Sequence, residues 1–284
     1  MRQYPLADFL PFTESPHFSP GPKARGIFLY RYNSRVSEPP AFKDHFSGQS
    51  GEYQKYRPDY PSELFAWLAS VARARRLAID VATGNGQAAV GLAAHFDAVL
   101  ATEPSAAQLR EARPHARVTY RQEPAESISA PKASADLVTV AQAAHWFDWP
   151  RFAAEAGRVL APGGVLAIWS YGDVDVTPGI DALVRDFSRD VVGPYWPRER
   201  RHVDEGYRDL ALPFPAIEAP PFDLRVRWDA AAMLGYIDTW SAVRRCRART
   251  GRDPLRLLAG PLADAWGPGV RDTRWPLTLK AGRA

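Results

Sequence analysis

The sequence Ala78-Ile79-Asp80-Val81-Ala82-Thr83-Gly84-Asn85-Gly86 joins an apolar run to a glycine-rich turn, and an alanine-rich helix is expected from Gly86 to Phe96. Glycine tolerates backbone conformations that let a ligand approach the chain closely. The free N–H groups at the start of the following helix attract a carboxylate or a phosphate. Gly84, Gly86 and Ala89 also satisfy the dinucleotide-binding pattern G-x-G-x-x-A. The stretch therefore predicts a ligand site where a strand ends.

Apolar runs and helix-like segments alternate on both sides of this stretch. The predicted strands are Leu77–Val81, Ala98–Ala101, Leu137–Ala141 and Val165–Trp169, with a weaker one at Arg117–Tyr120. The predicted helices are 62–74, Gly86–Phe96 and Ser105–Ala112. Short buried strands that alternate with helices are typical of a parallel sheet covered on both faces. We therefore predict an α/β, Rossmann-like, doubly wound and mostly parallel sheet.

The alternation ends after residue 172. Beyond it the sequence predicts helices at Ile180–Val191 and Ala231–Ala248, and strands at Phe222–Trp228 and Trp275–Lys280. We interpret residues 41–172 as a cofactor-binding core with an N-terminal lid helix, and residues 173–284 as the completion of the sheet plus a helical cap over the substrate. Residues 1–40 hold seven of the 26 prolines and show no sustained period, so we expect a loosely ordered extension there.

The composition excludes several classes of protein. A chain of 284 residues with 46% hydrophobic and 24% charged residues can build a core, unlike a disordered, collagen-like or disulfide-scaffold chain. The 36 basic and 32 acidic residues give a net charge of +4 and are interspersed, which favours a small acidic substrate over nucleic acid. No apolar run reaches the roughly 18 residues of a membrane span, and the N-terminus lacks the apolar region of a signal peptide.

The numbers and spacing of cysteine and histidine residues indicate the cellular compartment and whether a metal site is expected. The single cysteine, Cys246, excludes an internal disulfide and a cysteine-based zinc cluster. It favours a reducing compartment, so we expect a cytoplasmic protein. The histidines show no ligand spacing, and no metal site is predicted.

Two further motifs add to the first. The run Val99–Glu103 ends in an acid seventeen residues beyond Gly86, where a carboxylate can accept from both hydroxyls of a ribose. The alternative is a solvated acid at a strand end. The run Arg158–Leu166 contains Pro162-Gly163-Gly164, which ends a helix and turns the chain into a buried strand.

Together these segments resemble the class I S-adenosylmethionine-dependent methyltransferases with a methyltransferase type 11 domain. The matching residues are Asp80 to Gly86, Glu103, Pro124-Ala125-Glu126, Asp136 and Leu160–Gly164. Two segments, Phe46–Pro61 and Ala141–Asp148, are similar more narrowly to the trans-aconitate methyltransferase-like branch. The resemblance implies seven strands, a helical cap and S-adenosyl-L-methionine as the cofactor.

The resemblance also implies how the cofactor is held. The residues that would surround its methionine part are Asp80, Ala82, Gly84 and Gly86. Ala82 departs from the family, which has the first glycine of the loop at this position. Glu103 would bind the ribose and Pro104 would flank the adenine. The resemblance therefore implies a complete cofactor loop with one added methyl group.

Further residues would complete the cofactor pocket on the same resemblance. Ala125 and Glu126 would contact the edge of the adenine, and Gln142 would line the methyl side of the pocket. Tyr53 and Arg57 would belong to an N-terminal lid, in which Arg57 could pair with the cofactor carboxylate. For Tyr53 and Arg57 the alternatives are lid packing and a surface ion pair.

The residues that could meet a substrate follow the fourth strand or lie in the cap. His145 is a candidate general base because its unperturbed pKa is about 6.5, and the alternative is a histidine packed in an aromatic corner. The other candidates for substrate contact are Trp146, Tyr195, Trp196, Arg200 and Trp240. For the basic segment 195–201 the alternative is a solvated charge run.

These observations predict an S-adenosylmethionine-dependent methyltransferase that acts on a small anionic molecule, at an oxygen of an organic acid. A carboxylate is ionised at neutral pH, so its methylation requires positioning and no removal of a proton. Two alternatives stay open: an NAD-type nucleotide-binding oxidoreductase and a methyltransferase-like protein that binds the cofactor without catalysis. We expect a monomer or weak homodimer that binds neither nucleic acid nor membrane.

Overall fold

The computed structural model describes residues 56–284, and a single mixed sheet runs through this part of the chain. The strands are β1 (Leu77–Val81), β2 (Ala98–Thr102), β3 (Val118–Arg121), β4 (Ala135–Ala141), β5 (Leu160–Tyr171), β6 (Ala216–Ile217), β7 (Asp223–Trp228) and β8 (Arg271–Arg283). Their order is β3-β2-β1-β4-β5-β8-β6, and β7 pairs with the other half of β8. The first five strands of this order are parallel.

The direction of winding reverses between β1 and β4. Ile79 pairs with Leu100 of β2 on one side and with Val138 of β4 on the other. In an open α/β sheet, ligands bind at such a switch point, outside the carboxyl ends of the strands. The fold therefore places a ligand site at the end of β1, where the glycine-rich turn begins.

Helices cover both faces of the sheet, where they form one apolar cluster on each face, and build a third apolar cluster beyond the sheet. The α-helices of the described residues are α1 (Ser62–Val71), α2 (Gln87–Ala93), α3 (Ala106–Arg110), α4 (Trp149–Val159), α5 (Pro178–Asp186), α6 (Arg200–Asp204), α7 (Ala230–Asp238), α8 (Ser241–Thr250) and α9 (Ala259–Trp266). Helices α1 and α2 pack on one face, and α4 packs on the other. The third cluster joins α5, α7, α8, α9 and β7, and includes the buried Trp266 and Trp275.

The predicted α/β, Rossmann-like, mostly parallel architecture is confirmed. The strand count differs from the expected seven, because β7 adds a pairing to the long β8. The helix predicted over Ala231–Ala248 is two helices that meet at Thr239 and Trp240. The Thr239 hydroxyl donates to the Tyr236 carbonyl at 2.6 Å, and Trp240 is extended, so the chain turns there. The predicted extension at 1–40 and residue Tyr53 lie outside the described residues.

No helix in residues 56–284 is both long enough and apolar enough to cross a membrane.

Candidate functional site

The loop after β1 adopts left-handed backbone conformations at three positions. The φ angles are 53° at Ala82, 58° at Gly84 and 82° at Gly86. A Cβ at Gly86 would overlap the Tyr120 hydroxyl, whereas a Cβ at Gly84 would meet nothing within 4 Å. Gly86 is therefore required by the packing against Tyr120, and Gly84 leaves an open cradle beside the loop.

Asp80 lies beneath this loop and is fully buried. Its carboxylate accepts from the hydroxyls of Thr83 at 2.5 Å and Thr139 at 2.7 Å. Burial raises the pKa of Asp80 to about 6, although these hydrogen bonds act in the opposite direction. Asp80 thus ties the turn to β4 from inside the protein.

Glu103 follows β2 and is almost completely buried. Its carboxylate accepts from the backbone N–H groups of Gly84 and Ser105, both at 3.0 Å. These bonds link the ends of β1 and β2 through one acidic side chain. Each carboxylate oxygen can accept more than one hydrogen bond. The alternative of a solvated acid at a strand end does not fit this environment.

The other residues predicted at the nucleotide end lie at the same edge. The Pro104 carbonyl accepts from the Gln122 side chain at 3.1 Å. Ala125 is buried, and the Glu126 carboxylate accepts from the Asp148 backbone N–H at 2.9 Å. Glu126 therefore connects this turn to the start of α4.

Gln142 lies directly after β4 with a φ of 59°. Its side-chain amide donates to the Tyr171 carbonyl at 3.2 Å, and its backbone N–H donates to the Trp169 carbonyl at 2.8 Å. Ala82 and Gln142 thus both hold left-handed conformations immediately beyond two adjacent central strands. Non-glycine residues in such conformations cluster at binding sites.

A cavity of about 110 Å³ opens beside Gln142. Its aromatic wall includes Trp146, Trp196 and Trp240, with the rings of Trp196 and Trp240 5.5 Å apart. Two guanidinium groups, those of Arg57 and Arg200, also line it. The cavity combines aromatic surface with positive charge, and one exposed carboxylate, that of Asp173, lies at its wall.

The two arginines are held by aromatic side chains. Arg57 donates to the Tyr171 hydroxyl at 3.0 Å, and its guanidinium lies 5.0 Å from the centre of the Tyr236 ring. Arg200 lies 4.5 Å from the centre of the Trp196 ring and pairs with Asp204 at 2.7 Å. A guanidinium that stacks on an aromatic ring can still donate hydrogen bonds from its edge to an anion.

The structure separates one predicted substrate residue from the cavity. Tyr195 is 3% exposed, belongs to the third apolar cluster and does not line the cavity. The neighbouring Trp196 and Arg200 do line it. A turn of 3-10 helix at Gly193–Tyr195 rotates the tyrosine inward.

His145 lines the cavity and contacts Tyr207, a residue that carries no signal in the sequence. Its Nδ1 lies 3.0 Å from the Tyr207 hydroxyl. Burial, with smaller contributions from Arg200 and His202, lowers the pKa of His145 to about 3. The imidazole is therefore neutral at physiological pH. Sequence reasoning also missed Tyr171 and Tyr236, because only the fold brings them to Arg57.

Comparisons with known proteins agree with this geometry. A methyltransferase domain family matches residues 79–168. A Dictyostelium discoideum protein described as a methyltransferase is 38% identical over 237 residues, which is 82% of this chain and 90% of that protein. The chain therefore belongs to the class I S-adenosylmethionine-dependent methyltransferases.

Two further relatives point the same way. A solved structure from Anaeromyxobacter dehalogenans, described as a type II methyltransferase, is 48% identical, covers 80% of this chain and 97% of its own, and superposes with a TM-score of 0.75. A Saccharomyces cerevisiae protein described as an S-adenosylmethionine-dependent methyltransferase is 26% identical over 168 residues, 55% of this chain and 58% of that protein. The NAD-dependent alternative finds no support among these relatives.

The cofactor is S-adenosylmethionine, which supplies an electrophilic methyl group on sulfur when it is bound. The residues present fit such a group. The Cβ position of Gly84 opens onto empty space, and the buried Glu103 carboxylate lies at the adjoining strand end.

Proposed function

We propose that this protein methylates an oxygen of a small organic acid, the substrate class of the trans-aconitate methyltransferase-like branch that the sequence resembles. The observation that carries the proposal is the pair of guanidinium groups, Arg57 and Arg200, in a small aromatic cavity beside Gln142. A planar guanidinium matches a carboxylate through two parallel hydrogen bonds. A cavity of about 110 Å³ suits a small acceptor better than a macromolecule.

The cofactor residues keep the roles that the resemblance implies, except Arg57, which this proposal assigns to the acceptor and not to the cofactor carboxylate. Glu103 binds the ribose, and its neighbours Pro104, Ala125 and Glu126 border the adenine. The loop from Ala82 to Gly86 surrounds the methionine part, and Asp80 supports that loop from below. Gln142 borders the methyl group. The support for these roles is that Asp80 is the fourth residue of β1, and the others lie beyond the carboxyl ends of β1, β2, β3 and β4.

Within this proposal, Arg200 and Arg57 orient the acceptor, and the tryptophans exclude water from it. Alignment of two reacting groups can supply about 7–11 kcal/mol of a barrier. The acid is already ionised at neutral pH, so the site needs no strong base. We also propose a cytoplasmic location, on the support of the single, buried cysteine.

Cofactor binding is tested by calorimetric titration with S-adenosylhomocysteine. Glu103→Gln should weaken binding roughly ten- to a hundredfold, because it removes charge-assisted hydrogen bonds. Glu63→Gln, an exposed acid on α1, is the matched control and should bind like the unmodified protein. Equal affinity for Glu103→Gln and the control would contradict the ribose assignment.

The acceptor class is tested by supplying S-adenosylmethionine with panels of carboxylic acids, phenols and amines, and detecting methylated products by mass spectrometry. Methyl esters should form from the acids. Arg200→Gln should raise KM for the acid by about tenfold with little change in cofactor affinity. Arg201→Gln, which is exposed and outside the cavity, is the control. Transfer confined to neutral acceptors would overturn the proposal.

A further inference from the structure

The pairing of His145 with Tyr207 restricts what the histidine can do. Tyr207 is fully buried, and the two rings lie 6.1 Å apart at 31°. Tyr207 also has a φ of 55°, a strained conformation for a bulky residue. The surrounding structure therefore holds this hydroxyl in one place, against Nδ1 of the histidine.

The direction of the hydrogen bond follows from the protonation and burial of the Tyr207 hydroxyl. Ser170 and the backbone of Ala144 and His145 lie close enough to this oxygen to favour its charged form, which lowers the pKa of Tyr207. Burial outweighs them and raises that pKa well above its usual range, so the phenol keeps its proton. A buried O–H without an acceptor is costly, and Nδ1 of His145, 3.0 Å away, is placed to accept this proton.

A nitrogen that accepts a hydrogen bond carries no proton. The charged and titratable groups that face His145 are Arg200 and His202, besides Tyr207, and both disfavour an imidazolium. A neutral imidazole with a bare Nδ1 must carry its proton on Nε2. No described residue bonds to Nε2, and this atom is not among the buried polar atoms that lack a partner, so it is accessible to the cavity that His145 lines.

We propose that Tyr207 fixes His145 as the Nε2–H tautomer, so that His145 donates a hydrogen bond to the anionic acceptor and does not act as a general base. This inference rests on the proposed function for its substrate, but its tautomer does not. A donor at this position selects acceptors that arrive ionised, because a protonated hydroxyl would find no base there. Tyr207 is thus a positioning residue, and His145 contributes to specificity for acids.

The tautomer is tested without cofactor or acceptor, on the full chain labelled with ¹⁵N-histidine. Long-range ¹H–¹⁵N spectra distinguish the two neutral tautomers from the imidazolium, and His145→Gln identifies the signal by its loss. We expect the Nε2–H tautomer, unchanged between pH 6 and 8. Tyr207→Phe removes the hydroxyl that fixes the tautomer, so His145 should become a mixture of the two neutral tautomers. An Nδ1–H tautomer or a titrating imidazolium would overturn the inference.

The donor role is tested by comparing two substitutions of His145 with an organic acid as acceptor. A glutamine amide can donate in the place of Nε2–H, whereas alanine cannot. His145→Ala should lower turnover roughly ten- to a hundredfold, and His145→Gln should restore most of it. The unmodified enzyme should show a flat pH–rate profile from 6 to 8. Equal loss in both variants, with a rate that rises through this range, would identify a base instead.

The two arms separate the two proposals. The predicted tautomer together with methylation of acids and rescue by glutamine supports both. If the predicted tautomer is found but no acid is methylated, Tyr207 still fixes the tautomer of His145. The proposed function is then wrong, and so is the role of His145 as a donor to the acid. A wrong tautomer together with methylation of acids overturns this inference alone.

Discussion

At the scale of single residues, Ala82 carries a strain that glycine would not. Its φ of 53° lies in the left-handed region, which costs a residue with a Cβ about 1–2 kcal/mol. Ala82→Gly should therefore raise the free energy of unfolding by roughly 1 kcal/mol, since glycine's extra freedom in the unfolded chain offsets part of the relief. Denaturant unfolding measures the change.

The matched control is Ala88→Gly, within the right-handed helix α2. There glycine should lower the free energy of unfolding by about 1 kcal/mol. The two alanine-to-glycine changes, six positions apart, should thus have opposite signs. A loss of stability at Ala82 as large as that at Ala88 would show that the left-handed conformation is wrong.

Asp80 makes stability depend on pH, at the same scale. Its pKa is about 6 in the folded protein, against 3.8 when unperturbed. Between these values the folded state keeps a proton that the unfolded state has lost, so the group's contribution to stability is full below pH 3.8 and is lost as pH rises through 6. At about 1.4 kcal/mol for each pKa unit, the loss is roughly 3 kcal/mol.

Asp80→Asn removes this titration. The free energy of unfolding of the variant, minus that of the unmodified protein, should rise between pH 4 and 6 and then stay level. Urea unfolding at several pH values measures this difference, in which all other titrating groups cancel. A difference that stays constant from pH 4 to 7 would mean that Asp80 does not titrate in this range.

At the scale of one element, the loop between β1 and α2 contains two left-handed glycines with different surroundings. Gly84→Ala places its methyl group in open space, so it should cost about 1 kcal/mol of stability but weaken the binding of S-adenosylhomocysteine at least tenfold by filling the cradle. Gly86→Ala drives its methyl group into Tyr120, whose hydroxyl is held by the Arg113 carbonyl at 2.6 Å.

Gly86→Ala should therefore destabilise the protein more than Gly84→Ala. Thermal unfolding measures the stability of both variants, and calorimetric titration measures their affinity for S-adenosylhomocysteine. If Gly84→Ala bound the cofactor product as tightly as the unmodified protein, the cradle would have to lie elsewhere.

The elements also show what the sequence could predict. Strand β1 begins and ends at the residues that the sequence predicts, because a strand buried on both faces consists mostly of apolar residues, interrupted here by Asp80. The split between α7 and α8 was missed, since helical periodicity continues across Thr239 while a single side-chain hydrogen bond redirects the chain. The contact of His145 with Tyr207 spans 62 positions, and no local pattern encodes it.

At the scale of the whole molecule, β8 joins the two halves of the chain. Its residues pair with β5 from Leu277 to Arg283 and with β7 from Arg271 to Pro276. The β5 residues that it covers, Val165 to Trp169, are fully buried. Residues 41–172, which the sequence suggests as a cofactor-binding core, would by themselves expose this apolar edge, and unpaired edges promote aggregation.

We therefore predict that the core and the cap unfold as one unit. A chain that stops at Val270 should lose cooperative unfolding and the binding of S-adenosylhomocysteine. The reason is that β5 would lack its partner strand, and the third apolar cluster would lack Trp275. Asp272→Asn, in the same strand but exposed, should unfold like the unmodified protein. Circular dichroism during denaturant unfolding measures cooperativity, and calorimetry measures ligand binding, for the unmodified protein, the shortened chain and Asp272→Asn. A shortened chain that unfolds cooperatively and binds the ligand would show that residues up to 270 fold without β8, and would contradict the prediction.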